Sequence, residues 1–221
     1  MKLILPDGNA LNVKKGTTPL EIAKNISISL AKSSVGAVLN EKLIELSYPI
    51  NEPGDFKIIT KKDELAFHFL NHSAAHLMAS AIKELYPNVK FGVGPAIKEG
   101  FYYDMDLGEA KINDEDLLKI EVKITGKEIS YEKALELFSN DPYKTEMIKD
   151  LKGETITIYQ HGEFIDLCRG GHVDNMGTIK HFKLLSVAGA YWRGDSNNKM
   201  LTRVYGVAIF TKKELDKHLK M

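Results

Sequence analysis

Asp63-Glu64-Leu65-Ala66-Phe67-His68-Phe69-Leu70-Asn71-His72-Ser73-Ala74-Ala75-His76-Leu77-Met78 divides the chain and sets its architecture. Its apolar residues recur at helical spacing, which predicts a helix from Asp63 to Tyr86. The main apolar arc carries Leu70, Ala74, Leu77, Met78, Ala81, Ile82 and Leu85. His72 and His76 stand one turn apart, nearly opposite the centre of that arc and beside Leu65, Phe69 and Ala79. The helix is therefore expected to use two faces, one for the core and one for a partly apolar cleft. Far downstream, Cys168-Arg169-Gly170-Gly171-His172 holds the single cysteine of the chain. A Gly-rich loop there can close a thiol and a third histidine onto the imidazole face, giving a cleft rich in groups that titrate near neutrality.

Upstream of the helix, residues 1–61 read as a compact unit. Lys2 to Leu5 and Leu11 to Val13 are strands joined by Pro6-Asp7-Gly8-Asn9, where Asp-Gly is a hairpin signal. Thr18-Pro19-Leu20-Glu21 opens a helix, with Thr18 as cap, Pro19 at the first helical position and Glu21 closing a capping box. Val35 to Leu39 and Phe56 to Thr60 are further strands. The order suits a small β-grasp sheet with one helix across it, and Lys61-Lys62-Asp63-Glu64 reads as a linker. This unit shows no constellation of acids, bases or thiols, so a binding or packing role is expected for it.

Downstream, residues 62–221 read as a larger α+β unit. Gly100 to Met105 is a strand, followed by helix signals at Asn113 to Ile120. Ser130-Tyr131-Glu132-Lys133 and Asp141-Pro142 open two short helices. Thr155 to Tyr159 and Glu163 to Leu167 form an expected antiparallel pair around Gln160-His161-Gly162. Leu201 to Phe210 is a strong strand. Thr211-Lys212-Lys213-Glu214 is a second capping box, and its helix runs to Met221 with no stop signal, so the chain reads as cut at a linker helix.

With 43% hydrophobic and 27% charged residues in 221, the composition is that of an ordinary globular protein. No apolar run is long enough for a membrane span, and the first residues do not form a signal peptide. One cysteine cannot form an internal disulfide, which suits a reducing cytosol. Thirty basic residues balance thirty acidic ones, so the chain lacks the positive field of a protein that holds nucleic acid by charge alone.

Several runs together carry a resemblance: His72-Ser73-Ala74-Ala75-His76-Leu77, Gly92-Val93-Gly94-Pro95, Gly100-Phe101-Tyr102-Tyr103-Asp104, Asp166-Leu167-Cys168-Arg169-Gly170-Gly171-His172-Val173, and the long run Gly189 to Met200. Across nearly its whole length the chain resembles the amino-terminal half of bacterial threonyl-tRNA synthetases. The first unit is similar to that family's TGS module and the second to its editing domain. The resemblance implies a cytoplasmic hydrolase that removes serine wrongly attached to threonine-specific tRNA. It also implies that the ligase site and the remainder of the synthetase lie outside this chain, and that no membrane is involved. It places catalytic roles on His72, Lys144 and His172, with His76, Tyr103, Asp166, Cys168 and Gly94 in the substrate pocket. Arg193 and Lys199 are expected to meet the phosphates of the terminal nucleotides. The segment between Leu107 and Ile129 is shorter than the family's. Gly171 replaces another small or rigid residue, a change expected to loosen the loop of His172.

The implied chemistry suits these residue types. Serine lacks one methyl of threonine, so a synthetic pocket gains only about 1–3 kcal/mol of discrimination, and a second, hydrolytic site supplies a double sieve. Hydrolysis needs a held water, proton-transfer groups and donors for the oxyanion. Histidine transfers protons near neutral pH, and a lysine can orient the water, act as a base when desolvated, or stabilise negative charge. Cys168 is expected to line the pocket rather than act as nucleophile. The rival reading is a zinc-dependent deacylase with His72, His76, Cys168 and His172 as ligands. A second rival is a non-catalytic module that docks on RNA or protein.

Overall fold

The computed structural model of the protein describes residues 1–110, 112, 124–129, 131–152, 156–161, 164–168, 170–174 and 176–220. Strands β1 (Lys2–Ile4) and β2 (Ala10–Asn12) form the first hairpin. At its turn Asp7 accepts from the Asn9 amide at 3.0 Å, and Gly8 takes a φ of 82°. Helix α1 (Pro19–Ile26) begins with the expected capping box. Thr18 Oγ1 accepts from the Glu21 amide, while Glu21 Oε2 accepts from the Thr18 amide at 2.8 Å. Helix α2 (Ile28–Ser33) and strands β3 (Ser34–Leu39), β4 (Lys42–Ile44) and β5 (Gly54–Thr60) follow. The sheet order is β2-β1-β5-β3-β4 with β1 and β5 parallel, the mixed arrangement of a β-grasp unit. Leu3, Ile22, Ala37, Leu39, Ile44, Ile50 and Phe56 fill its core.

Two elements of this unit differ from the sequence expectation. Helix α2 lies beside α1, so two helices rather than one accompany the sheet. The turn between β3 and β4 is Asn40-Glu41, both with positive φ (48° and 67°), in a two-residue hairpin without the glycine that usually marks one.

The stretch expected as a linker is a tight turn. Asp63 Oδ2 accepts from the amide of Thr60 at 2.8 Å and from its hydroxyl at 2.9 Å, and Asp63 pairs with Lys57. Strand β5 therefore passes directly into α3 (Glu64–Leu85). Helix α3 is enclosed on most sides, with its histidine edge left to line a cleft, as the two-faced reading expected. Phe69 and Ala79, on the histidine side, are buried in one core with Val35 and Ile59 of the first unit. Leu85, assigned to the apolar arc, is 47% exposed.

The second unit wraps α3 with two sheets. Strands β6 (Lys90–Phe91), β7 (Ala96–Ile97) and β8 (Gly100–Asp106) come first. Strand β9 (Ile124–Ile129), helices α4 (Tyr131–Leu137) and α5 (Pro142–Asp150), and strands β10 (Ile156–His161) and β11 (Phe164–Leu167) follow. Strands β12 (His181–Tyr191) and β13 (Met200–Ile209) and helix α6 (Lys212–His218) complete the described chain. One sheet has the order β12-β13-β8-β6 with β7 beside β8, and the other has the order β11-β10-β9. Helices α4 and α5 bury Ala134, Phe138 and Ile148 against Ile156 and Ile158. Asp141 caps α5 by accepting from the amides of Tyr143 and Lys144.

The long run Gly189 to Met200 forms the end of the β12–β13 hairpin and a 3-10 turn in which Arg193 has a φ of 56°. Helix α6 is capped by Thr211 and ends at His218 rather than running on. The helix signals at Asn113 to Ile120, the residues Ser130, Thr155, Gly162, Glu163 and Arg169, and most of the shortened 107–129 segment lie outside the described residues. No helix among the described residues is long and apolar enough to cross a membrane.

Gly36 on β3 lies where a Cβ would overlap the ring of Phe69 on α3. Gly36→Ala is expected to force the first sheet away from α3 and cost about 1–3 kcal/mol in urea unfolding. An unchanged unfolding midpoint would show that the two units are not held by this contact.

Candidate active site

Asp166 on β11 is 1% exposed and accepts on both oxygens. Oδ1 takes Lys144 Nζ at 2.5 Å and the Leu167 amide at 2.8 Å. Oδ2 takes the Tyr103 hydroxyl and lies 3.0 Å from His76 Nδ1, off the line of an aligned hydrogen bond. Lys144, the first-turn residue of α5, is 3% exposed and also donates to the Gly92 carbonyl at 2.9 Å and to the Tyr103 hydroxyl oxygen at 3.3 Å. These three acceptors match the three N–H bonds of an ammonium. That leaves no lone pair for a base, so of the roles open to this lysine the geometry favours holding charge and position.

The expected histidine–thiol cluster forms. His72 Nε2 is 3.0 Å from Cys168 Sγ and 3.4 Å from His76 Nε2, and His172 Nε2 is 3.5 Å from the same sulfur. The His72 and His172 rings stack at 4.5 Å between centroids. A cleft of about 640 Å3 opens on this cluster. His68, His72, His76, Gly94, Tyr103, Lys144, Asp166 and Cys168 line it, as do Val93 and Met147. Gly94 lies so close to the Tyr103 ring that any Cβ would overlap it, so only glycine lets the cleft-lining 92–95 loop approach the ring.

His172 differs from expectation. It is fully buried against Cys168 and His72 and does not line the cleft. Nor is its loop loose. Gly170 and Gly171 have φ of 103° and 85°, which favour glycine, and the Gly171 amide donates to Glu45 at 3.0 Å. Arg193 pairs with Glu146 at 2.9 Å and with Asp150, and Lys199 pairs with Asp106 at 2.5 Å. Both are exposed ion pairs, of a kind that holds a side chain only weakly.

Sequence reasoning passed over two residues. His68 stands one turn before His72, so the same four-residue spacing that marked the pair marks it as well. Glu45 follows β4 in the unit expected to hold no chemistry, and nothing local distinguishes it.

The charges in the cluster support one another. Burial opposes ionisation of Cys168, but the imidazoles of His72, His172 and His76 outweigh it and hold the thiol well below its ordinary value. Burial also opposes charge on His76, yet Cys168 and Asp166 raise it to about 9. His172 is raised against burial by Cys168 and Glu45. His72 is lowered, first by burial. Burial works against the Asp166 carboxylate, but Lys144 and His76 pull it well below the usual range.

Two family models match the chain. Residues 1–60 match the TGS domain, and residues 156–205 match the threonyl and alanyl tRNA synthetase second additional domain. The fold and site thus define a TGS module joined to a synthetase additional domain. The threonine–tRNA ligase of Acholeplasma laidlawii (strain PG-8A) is 54% identical over 232 aligned positions, covering 100% of this chain and 36% of the relative. Those of Enterococcus faecalis (strain ATCC 700802 / V583) and Staphylococcus carnosus (strain TM300) are 51% and 50% identical, covering 99% and 100% of this chain. The chain spans 36% of the length of these curated relatives. Over its length the chain is thus similar to the amino-terminal region of threonine–tRNA ligases, with matches to the TGS and second additional domains that the motifs implied.

Asp166→Ala leaves the Lys144 ammonium buried without its counter-charge and is expected to cost about 3–5 kcal/mol in denaturant unfolding. Lys144→Ala leaves the carboxylate in the same position. Lys144→Ala is therefore expected to lose stability as well as activity. A loss within about 1 kcal/mol for Asp166→Ala would show that water replaces the pair.

The pH dependence follows from His76. Its folded pKa of about 9 lies above the ordinary 6.5, so its contribution to stability is full below 6.5 and is lost as pH rises through about 9. The melting temperature is expected to fall over that window, and less steeply in His76→Asn. Identical slopes in both proteins would remove His76 as the cause.

Proposed function

We propose that this chain hydrolyses the ester joining serine to the terminal ribose of threonine-specific tRNA. The carrying observation is the cleft itself, where His72 stands beside a buried, charge-fixed wall of Lys144, Asp166 and Tyr103. Water attacks the seryl carbonyl and gives a proton to His72. The tetrahedral oxyanion develops beside the positive field of Lys144, and collapse returns the proton from His72 to the ribose oxygen. Cys168 holds the imidazoles in place and forms no bond to serine. Specificity is steric, since a wall that accepts serine meets the added methyl of threonine. The partners are the charged acceptor end and the remainder of the synthetase, and the location is the cytoplasm.

A second reading is favoured by one observation. The donor atoms of His72, His76, Cys168 and His172 all lie within 4.8 Å of one another. Tetrahedral zinc bonds of about 2.0–2.3 Å place neighbouring donors about 3.3–3.8 Å apart, close to the spacings here, so the four residues fit the ion. With all four engaged no position remains for water, and the ion would be structural. Protein purified without chelator is expected to hold no zinc under the hydrolytic reading and one ion per chain under this one.

Single-turnover deacylation separates the outcomes. Serine-charged tRNA is expected to be hydrolysed and threonine-charged tRNA spared. His72→Ala is expected to lower the rate about 10²–10⁴-fold with an unchanged circular dichroism spectrum. Equal rates on the two esters, or a near-wild-type rate in the variant, would overturn the proposal.

A further inference from the structure

Glu45 belongs to the TGS unit, yet its side chain reaches the histidine–thiol cluster. Its Oε1 accepts from the Gly171 amide at 3.0 Å and the His172 amide at 3.2 Å, and lies 3.1 Å from His172 Nδ1. One oxygen thus gathers two amides and a ring nitrogen of the 170–174 loop. The rest of that loop is held from both sides. The Val173 amide donates to Ser73 Oγ of α3 at 2.8 Å, and Ser47 donates to Asp174 through its hydroxyl at 3.0 Å and its amide at 3.3 Å. A Cβ at Gly170 would come within 3.2 Å of Leu43 O, and one at Gly171 within 3.3 Å of the Leu43 side chain. The backbone of the loop therefore lies against the end of β4.

We infer that Glu45 is a positioning residue for the deacylation site: it holds a proton on His172 Nδ1 and turns Nε2 toward Cys168, so that the TGS unit completes the editing centre. The hydrogen bond at one ring nitrogen decides what the other presents. His172 Nε2 faces the sulfur that also holds His72, the imidazole proposed to take the proton from water. Tyr159, whose ring centroid is 3.9 Å from that of His172, closes the other side and leaves Glu45 to set the orientation. The TGS unit is then a structural part of the site rather than a separate docking module. This inference rests on the hydrolytic reading only for its kinetic consequence.

The test uses the whole chain and the variants Glu45→Ala and Glu45→Gln. The glutamine amide oxygen accepts the same N–H groups, so it is expected to rescue what alanine loses. Glu45→Ala is expected to lower kcat for serine-charged tRNA about 10–100-fold with KM unchanged, as losing an orienting partner of a histidine does. Imidazole 15N–1H spectra of the substrate-free protein are expected to show a protected His172 Nδ1–H in the wild type and in Glu45→Gln, but not in Glu45→Ala. A His172 Nδ1 without a proton in the wild type would overturn the inference, and that measurement needs no variant to fold and no activity. An unchanged kcat in Glu45→Ala, or a loss confined to KM, would overturn it as well. Failure of the wild type to deacylate would count against the hydrolytic reading alone.

Discussion

The buried carboxylate of Asp166 is the interaction on which the site depends. A charge taken out of water is tolerated only where other charges and hydrogen bonds replace its hydration. Four elements supply the replacements: α5 through Lys144, β8 through Tyr103, α3 through His76, and β11 through the Leu167 amide. Moving α5 leaves an unpaired charge in the core, and moving any of the others removes a partner of the carboxylate. The carboxylate therefore fixes the cleft wall as much as it fixes the fold. It also accounts for the burial of Lys144, a residue type otherwise found mostly in solvent.

The second layer of the site carries the same logic across the two units. His76 touches both Asp166 and His72, and His72 touches Cys168, so the carboxylate wall and the thiol cluster are in continuous contact. Behind the thiol, His172 is fully buried and ends on Glu45. Asp166, His76, His72, Cys168, His172 and Glu45 thus form one line of contacts, with a carboxylate at each end and the thiol among the imidazoles. The first sheet, joined to α3 by a turn rather than a spacer, is the far wall of this arrangement.

Much of this was legible in the sequence because it is local. The capping box at Thr18, the helix beginning at Asp63, the cap at Asp141 and the antiparallel pair of β10 and β11 depend on residues a few positions apart, and the structure reproduces them. The meeting of His72 and His76 with Cys168 and His172 was also readable from residue type and helical spacing. Lys144 came only through the family resemblance, since nothing in Tyr143-Lys144-Thr145 marks it as buried. What escaped was long-range or unmarked. Strand β12 pairs along its length with β13 but leaves Leu185 and Val187 exposed, so it lacks the alternation of a covered strand. The β3–β4 hairpin has no glycine at its turn. Glu45 acquires its role only by meeting a loop 126 residues away.

The central claim is that the cleft between α3 and the Cys168 loop is the second sieve, admitting serine and refusing threonine. It is tested most directly by a crystal structure of this chain with a non-hydrolysable seryl-adenosine analogue, together with titration of the seryl and threonyl analogues. The account predicts the seryl carbonyl against His72, beside the Lys144–Asp166–Tyr103 wall. It also predicts weaker binding of the threonyl analogue, by about 10–200-fold for one methyl. Equal affinity for the two, or an analogue seated away from His72, would contradict it.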